Sequence, residues 1–133
     1  MHTKHALMVV GLLGFAGLAL SLYLTVAPNP GFCDITSFVS CDRVLTSPYA
    51  RLLGIPTSLY GAAWFAATST AAFLPVERRA VLGFIKGWSV LGLVGVGALV
   101  YVELVLINAV CLLCTVAHML AILVAATTFL FIR

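Results

Sequence analysis

The chain has 133 residues, of which 63% are hydrophobic and 8% charged, and its formal net charge is +3. A soluble domain carries roughly 25% charged residues, so a water-covered globule is excluded and lipid must act as the solvent. The few charges are scattered rather than clustered, so no nucleic-acid partner is expected.

Taken in chain order, the apolar runs predict four spanning helices, since a span needs about 20 predominantly apolar residues. The first runs from about Ala6 to Ala27, the second from about Thr57 to Leu74, the third from about Val81 to Asn108 and the fourth from about Cys111 to Ile132. The first run exceeds the roughly 7–15 residues of a signal-peptide core, and the chain continues as membrane protein, so it is expected to be a retained helix. The expected fold is all-α: one transmembrane domain over residues 1–133, an integral membrane four-helix bundle. Lys4, Arg78, Arg79, Lys86 and Arg133 all fall on one side of an even number of spans. The positive-inside rule makes that side the cytoplasm, with both termini. A multi-pass protein of the cell's inner or plasma membrane is expected.

The loop of residues 28–56 then lies outside, with Arg43 and Arg51 balanced by Asp34 and Asp42. Pro28, Asn29, Pro30 and Gly31 stop the first helix by removing donors and permitting a turn. Ser40 reads as an N-cap with Cys41 and Asp42 in a first turn. Ser47-Pro48 reads as the start of a second short helix, with serine as cap and proline at its first position, ended by Gly54. The extracytoplasmic loop is therefore expected to be built of short helices, with Leu45, Tyr49, Leu52, Leu53 and Ile55 facing the bilayer or covering the bundle. Gly11, Gly14, Gly17, Gly83, Gly87, Gly92, Gly95 and Gly97 are read as small residues that let helices approach.

The four cysteines form two pairs, Cys33 with Cys41 in the loop and Cys111 with Cys114 opening the last helix. All four face outward, where disulfides persist. Residues i and i+3 of a helix are about 5–6 Å apart at Cβ, wider than the roughly 3.5–4.5 Å of a disulfide. Cys111 and Cys114 therefore close most easily at a helix start, and Asn108 is a plausible break just before it. A helix N-terminus also favours a thiolate. From Cys111 to Ile132 a helix is about 33 Å long, which puts the dithiol at the outer interface, a depth that a lipid-soluble quinone headgroup reaches. Two dithiols at one membrane face suit an electron relay. A partner's thiol would reduce a Cys33–Cys41 disulfide, the freed Cys41 would attack a Cys111–Cys114 disulfide, and Cys114 would pass electrons to the acceptor. The alternatives are structural disulfides, in a non-catalytic membrane scaffold, and a zinc site. Cys33 and Cys41 are poorly spaced for a zinc knuckle, and Thr115 stands where haem attachment needs a histidine, so no metal is expected.

Polar groups around the pair are further candidates. His118 lies one helical turn after Cys114 on the same face and can supply a hydrogen bond or proton to a reduced acceptor. Ser47 and Thr57 are caps or site residues. Tyr49, Tyr60 and Trp64 line a flat pocket or belong to the interface. Glu103, near the outer end of the third helix, is a functional candidate because an acid is costly in lipid; the alternatives are snorkelling or an ion pair with Arg43 or Arg51.

These features together resemble the vitamin K epoxide reductase family over essentially the whole chain. The resemblance rests on the four-helix layout, the loop pair Cys33 and Cys41, the spacing from Cys41 to Ser47, the run Gly54-Ile55-Pro56-Thr57-Ser58-Leu59-Tyr60-Gly61, and Cys111-Leu112-Leu113-Cys114. The other four-helix quinone-reductase type with two cysteine pairs carries its CxxC before the loop pair, and here the order is reversed. The resemblance implies that Cys111 and Cys114 are the catalytic pair, with Cys114 nearer the quinone and Cys111 exchanging with Cys41, while Cys33 takes the mixed disulfide with the partner. It implies a quinone of menaquinone, ubiquinone or vitamin K type as electron acceptor, and Ser47 beside it. Thr57 stands where vertebrate members have an asparagine, and His118 where they have a tyrosine, so plain quinone reduction, as in prokaryotic members, is expected; the alternative is the epoxide reductase proper. The partner expected is a separate thioredoxin-fold thiol oxidase outside the cytoplasm.

Overall fold

The structure, a computed structural model, describes residues 3–26, 34–36, 38–40, 44, 47–74 and 78–132. Helix α1 spans Thr3–Val26, α2 Thr57–Phe73, α3 Arg78–Tyr101 and α4 Leu112–Phe131. Three stretches are long and apolar enough to cross a bilayer: Thr3–Val26, Arg79–Ile107 and Leu112–Phe131. Helix α2 has 17 residues and rises about 26 Å, the short end of the spanning range. Large apolar side chains stand exposed on every helix, among them Phe15, Phe73, Val94 and Leu130. In water such a surface would aggregate, whereas in a bilayer it is solvated.

The helices close into a ring in chain order. Helix α1 packs chiefly against α2 and then α4, α3 packs against α4, and α3 meets α2 more sparsely. The α1–α2 seam is close because α1 presents glycines to aromatic rings. A methyl group at Gly17 would overlap the ring of Phe65, which is itself buried, so the small residue is what lets α2 seat there. Hydroxyls bridge the seams: Ser69 Oγ donates to Gly11 O at 2.6 Å, Thr25 and Ser58 meet at 2.8 Å, and Ser89 Oγ donates to Thr128 Oγ1 at 3.3 Å. Across α2 and α3, Trp64 and Trp88 stack and donate their indole N–H groups to each other's backbone carbonyls, both at 3.1 Å. Gly92 makes room for the Trp64 ring.

The glycines of α3 behave differently from the sequence reading. Gly83, Gly87, Gly95 and Gly97 have open space where a Cβ would stand. Among the described residues, Gly92 is the glycine of that helix that meets a side chain of another helix.

One end of the bundle gathers Ala6, Val10, Ala71, Val81, Ile85, Val124 and Ile132 into a buried cluster. Lys4 and Arg79 are on the first turns at this end. The opposite end carries the loop and the start of α4.

The loop departs from the short-helix expectation. Pro48–Ala50 form a single 3-10 turn, and the chain then makes a small antiparallel hairpin, β1 (Arg51–Leu52) with β2 (Ile55–Pro56). Leu53 and Gly54 both have positive φ, 56° and 81°, the geometry that a two-residue hairpin turn demands. Gly54 thus turns a hairpin and does not end a helix. Ser47 sits at the N-cap position without capping: its hydroxyl donates to Val44 O at 2.7 Å. Pro56 occupies the N-cap of α2, and Thr57 donates to Tyr49 O at 3.4 Å instead of capping. Ser40 likewise gives its hydroxyl to Asp34 Oδ1, at 2.9 Å. Tyr49, Leu52, Leu53 and Ile55 are exposed. Pro28 to Gly31, Cys33, the turn at Cys41–Asp42, Arg43, Leu45 and Arg133 lie outside the described residues.

Candidate active site

The site begins where the third span ends. After Tyr101 the α-helical ladder gives way to a six-residue π-helical turn, Val102–Ile107. Asn108 then adopts the left-handed conformation, φ 58° and ψ 39°, which asparagine tolerates better than most residues. The N–H groups of Asn108 and Ala109 both bond to Glu103 O, the latter at 3.0 Å. The break expected at Asn108 therefore exists, although the α-helix proper stops seven residues earlier than the sequence reading had it.

Cys111 is the N-cap of α4. Its sulfur accepts the Cys114 N–H at 3.1 Å, while its carbonyl accepts both Thr115 N–H, at 2.9 Å, and Thr115 Oγ1–H, at 2.8 Å. The i, i+3 spacing does here what a capping serine would do, with a sulfur that is also the reactive atom. Hydrogen bonds from the Cys114 side chain and backbone hold the Cys111 thiol below the ordinary thiol range, against the opposing effect of burial. Hydrogen bonds to the charged form favour it, so Cys111 reaches the nucleophilic thiolate at lower pH than an ordinary cysteine. Cys114 stands one turn along, half-buried, whereas Cys111 is fully buried.

The residues around Cys111 come from the α3–α4 junction and from the loop between α1 and α2. Val44, Ala109 and Cys111 form one cluster, with Ile107, Leu113 and Cys114 packed on it. The loop is also tied to the α3–α4 junction by a parallel β-bridge between Val39 and Val110. Val110 N–H donates to Phe38 O at 2.7 Å, and Ser40 N–H donates to Val110 O at 2.9 Å. Sequence reasoning missed this bridge. The only local signal is the pair of β-branched valines, each two residues or fewer before a cysteine, and that is too short to read as strand pairing.

Glu103 is 6% exposed, so it does not snorkel. Arg51, one partner considered for it, donates to Gly54 O at 3.1 Å, and Arg43 lies outside the described residues.

The other candidates divide into groups. Ser47 is joined to Val44, and through it to the cover of Cys111. Tyr49 and Thr57 are joined to each other, and Tyr60 donates to Leu52 O at 2.9 Å, so these three fasten the hairpin to the top of α2. Trp64 is engaged with Trp88 and packs on the cluster at the far end of the bundle. His118 is buried on α4 one turn beyond Cys114. Among the described residues no group of three or more His, Cys, Asp or Glu side chains stands ready for a metal ion.

Against known protein families, the model for the vitamin K epoxide reductase family matches residues 8–129. The match runs from the first turns of α1 into the last turn of α4 and takes in both cysteine pairs.

Proposed function

Because the chain belongs to the vitamin K epoxide reductase family, it is a multi-pass membrane thiol oxidoreductase of the quinone-reducing kind, and we propose that it carries electrons from a secreted thioredoxin-fold dithiol, through Cys33 and Cys41, to Cys111 and Cys114. The observation that carries this reading is the Val39–Val110 bridge. Ser40 and Val110 each precede a cysteine directly, and they are hydrogen-bonded to each other. This contact between the residues that precede the two cysteines in sequence supports exchange between the pairs.

The chemistry is two thiol–disulfide exchanges and one two-electron reduction. A partner thiolate attacks Cys33 of a Cys33–Cys41 disulfide and Cys41 leaves as thiolate; the partner's second thiol then closes the partner's own disulfide. Cys41 attacks Cys111 of a Cys111–Cys114 disulfide and Cys114 leaves as thiolate. Cys33 next attacks Cys41, which restores the loop disulfide and releases Cys111. The reduced pair returns to its disulfide by giving two electrons and two protons to a quinone, which becomes the quinol. Cys111 as the exchanging sulfur agrees with its cap-stabilised thiolate and its burial under the loop. Cys114, less buried and one turn deeper, is the sulfur for the quinone. His118 is one turn beyond it and suits a hydrogen bond to a quinone oxygen; Ser47, Tyr49, Thr57 and Tyr60 complete the proposed quinone-side set, Ser47 being linked to the pair through Val44, whereas Trp64, held by Trp88 toward the opposite end of the bundle, falls outside it. The acceptor is of menaquinone, ubiquinone or vitamin K type.

The cysteines face the outside of the inner or plasma membrane and both termini face the cytoplasm. Lys4 and Arg79 at the end opposite the pair support this orientation.

Thiol trapping tests the reading. In membranes carrying the chain and reduced with dithiothreitol, adding quinone is expected to convert Cys111 and Cys114 from alkylatable to protected within the turnover time. Labelling that is the same with and without quinone would mean fixed disulfides and a scaffold.

A further inference from the structure

Asp34 follows Cys33 directly in the chain, and Ser40 precedes Cys41 directly. Ser40 Oγ donates to Asp34 Oδ1 at 2.9 Å. The first and last residues between the two loop cysteines are therefore fastened to each other by their side chains. The backbone between them is folded locally as well. Thr36 Oγ1 accepts the N–H groups of Phe38 and Val39, at 3.2 and 2.9 Å, and Val39 O accepts those of Ile35 and Thr36, at 3.0 and 3.2 Å. Ser40 has a second attachment. Its own N–H donates to the carbonyl of Val110, the residue directly before Cys111. One buried serine thus ties the neighbour of Cys33 to the neighbour of Cys111, whereas Asp34 stands exposed.

We propose that Asp34 and Ser40 are positioning residues of the relay: their side-chain bond closes the loop between Cys33 and Cys41 and keeps it closed while the disulfide is open. The proposal rests on the relay proposed above, in which that disulfide opens and re-forms in every cycle. In the return step the Cys33 thiolate attacks Cys41 of the Cys41–Cys111 disulfide. The Cys33–Cys41 bond forms, the Cys41–Cys111 bond breaks and Cys111 leaves as thiolate, so one disulfide replaces another with no net oxidation. Bringing the ends of a loop together costs conformational entropy. A bond that already holds those ends removes part of that cost from the exchange and raises the effective concentration of one thiol at the other. Because closing the hydrogen bond and closing the disulfide restrain the same stretch of chain, each favours the other. A bond that served the turn alone would change the stability of the fold and leave the equilibrium of the loop disulfide where it was.

The effective concentration of the loop pair can be measured by itself. With Cys111→Ser and Cys114→Ser, Cys33 and Cys41 are the remaining thiols, and serine at position 111 retains an acceptor for the start of α4. The full chain in lipid nanodiscs is equilibrated with glutathione redox buffers, and the disulfide fraction is read by the mass shift on alkylation. Asp34→Ala and Ser40→Ala should each lower the effective concentration about fivefold, the factor that one hydrogen bond of ordinary net strength supplies. The double variant should lose no more than either single one, since both remove the same bond. Asp34 is exposed, so its replacement leaves the packing intact even if that of the buried Ser40 does not. Asp34→Asn keeps an acceptor oxygen for the Ser40 hydroxyl and removes the charge, and it should stay at the wild-type value. A loss in Asp34→Asn equal to that in Asp34→Ala would assign the effect to charge beside Cys33 and overturn the proposal. So would an Asp34→Ala titration that superimposes on wild type. No quinone and no protein partner enter the titration, so its result is separate from the proposed function, which fails instead if Cys114→Ala still reduces quinone.

Discussion

Replacing Cys114 with alanine is expected to bring dithiothreitol-driven quinone reduction down to the uncatalysed rate, a loss on the order of a thousandfold or more for a residue that acts in concert with its neighbour. Two effects combine. The variant lacks the sulfur proposed to face the acceptor, and a lone Cys111 cannot close an intramolecular disulfide. It also lacks the thiol whose side chain holds Cys111 toward its thiolate, so Cys111 should need a higher pH to react. The Cys114 backbone N–H survives the substitution and continues to bond the Cys111 sulfur, so α4 should still start at Leu112 and the variant should fold. Stopped-flow absorbance of the quinone, with the variant's helicity checked by circular dichroism, measures both. Residual turnover within tenfold of wild type would show that electrons leave by another route.

Replacing Cys33 with alanine is expected to have an effect that depends on the reductant. With a reduced thioredoxin-fold protein as donor, turnover should fall about a hundredfold or more, because the partner loses the sulfur on which its mixed disulfide forms and with it the advantage of an intramolecular relay. Dithiothreitol is small enough to reach the inner pair without that sulfur, so its reaction should retain a substantial part of the wild-type rate. Equal loss with both reductants would show that Cys33 has no special relation to the partner. The contrast is informative because Cys111 is buried beneath Val44: a protein-sized reductant needs the loop cysteines, whereas a small dithiol needs only local opening.

Much of the fold was legible because bilayer solvation leaves a coarse signal. Four helices follow from apolar runs whose length the hydrocarbon core dictates, and the break at Asn108 follows from a residue type that accepts left-handed backbone. The loop was less legible. Ser47-Pro48 has a helix-start signature, yet the chain beyond Ala50 pairs Arg51 with Pro56 and Leu52 with Ile55, since Leu53-Gly54 supplies the tight turn. Serine hydroxyls that looked like caps found other acceptors, Val44 O for Ser47 and Asp34 for Ser40. Such choices turn on tertiary placement, which local pattern does not encode. The α3 glycines illustrate the same point, because spacing that permits close packing does not say whether a helix is there to meet it.

At the site, the helix start at the CxxC and the break before it were readable in the sequence, whereas the capping of that helix by the Cys111 sulfur was not. The Val39–Val110 bridge was not readable, because a single residue pair carries no periodicity. Glu103 stood out by the cost of burying it, whereas the bonds from Asn108 and Ala109 N–H to its backbone carbonyl become visible only once the π-helical turn ends the helix.

The measurement that tests the account most directly is oxidation of a reduced thioredoxin-fold protein by membranes carrying this chain, followed with and without added quinone. The account predicts quinone-dependent appearance of the partner's disulfide, with quinol formed mole for mole, and its loss with Cys33→Ala or Cys114→Ala. Oxidation that proceeds at the same rate without quinone, or in both variants, would contradict it.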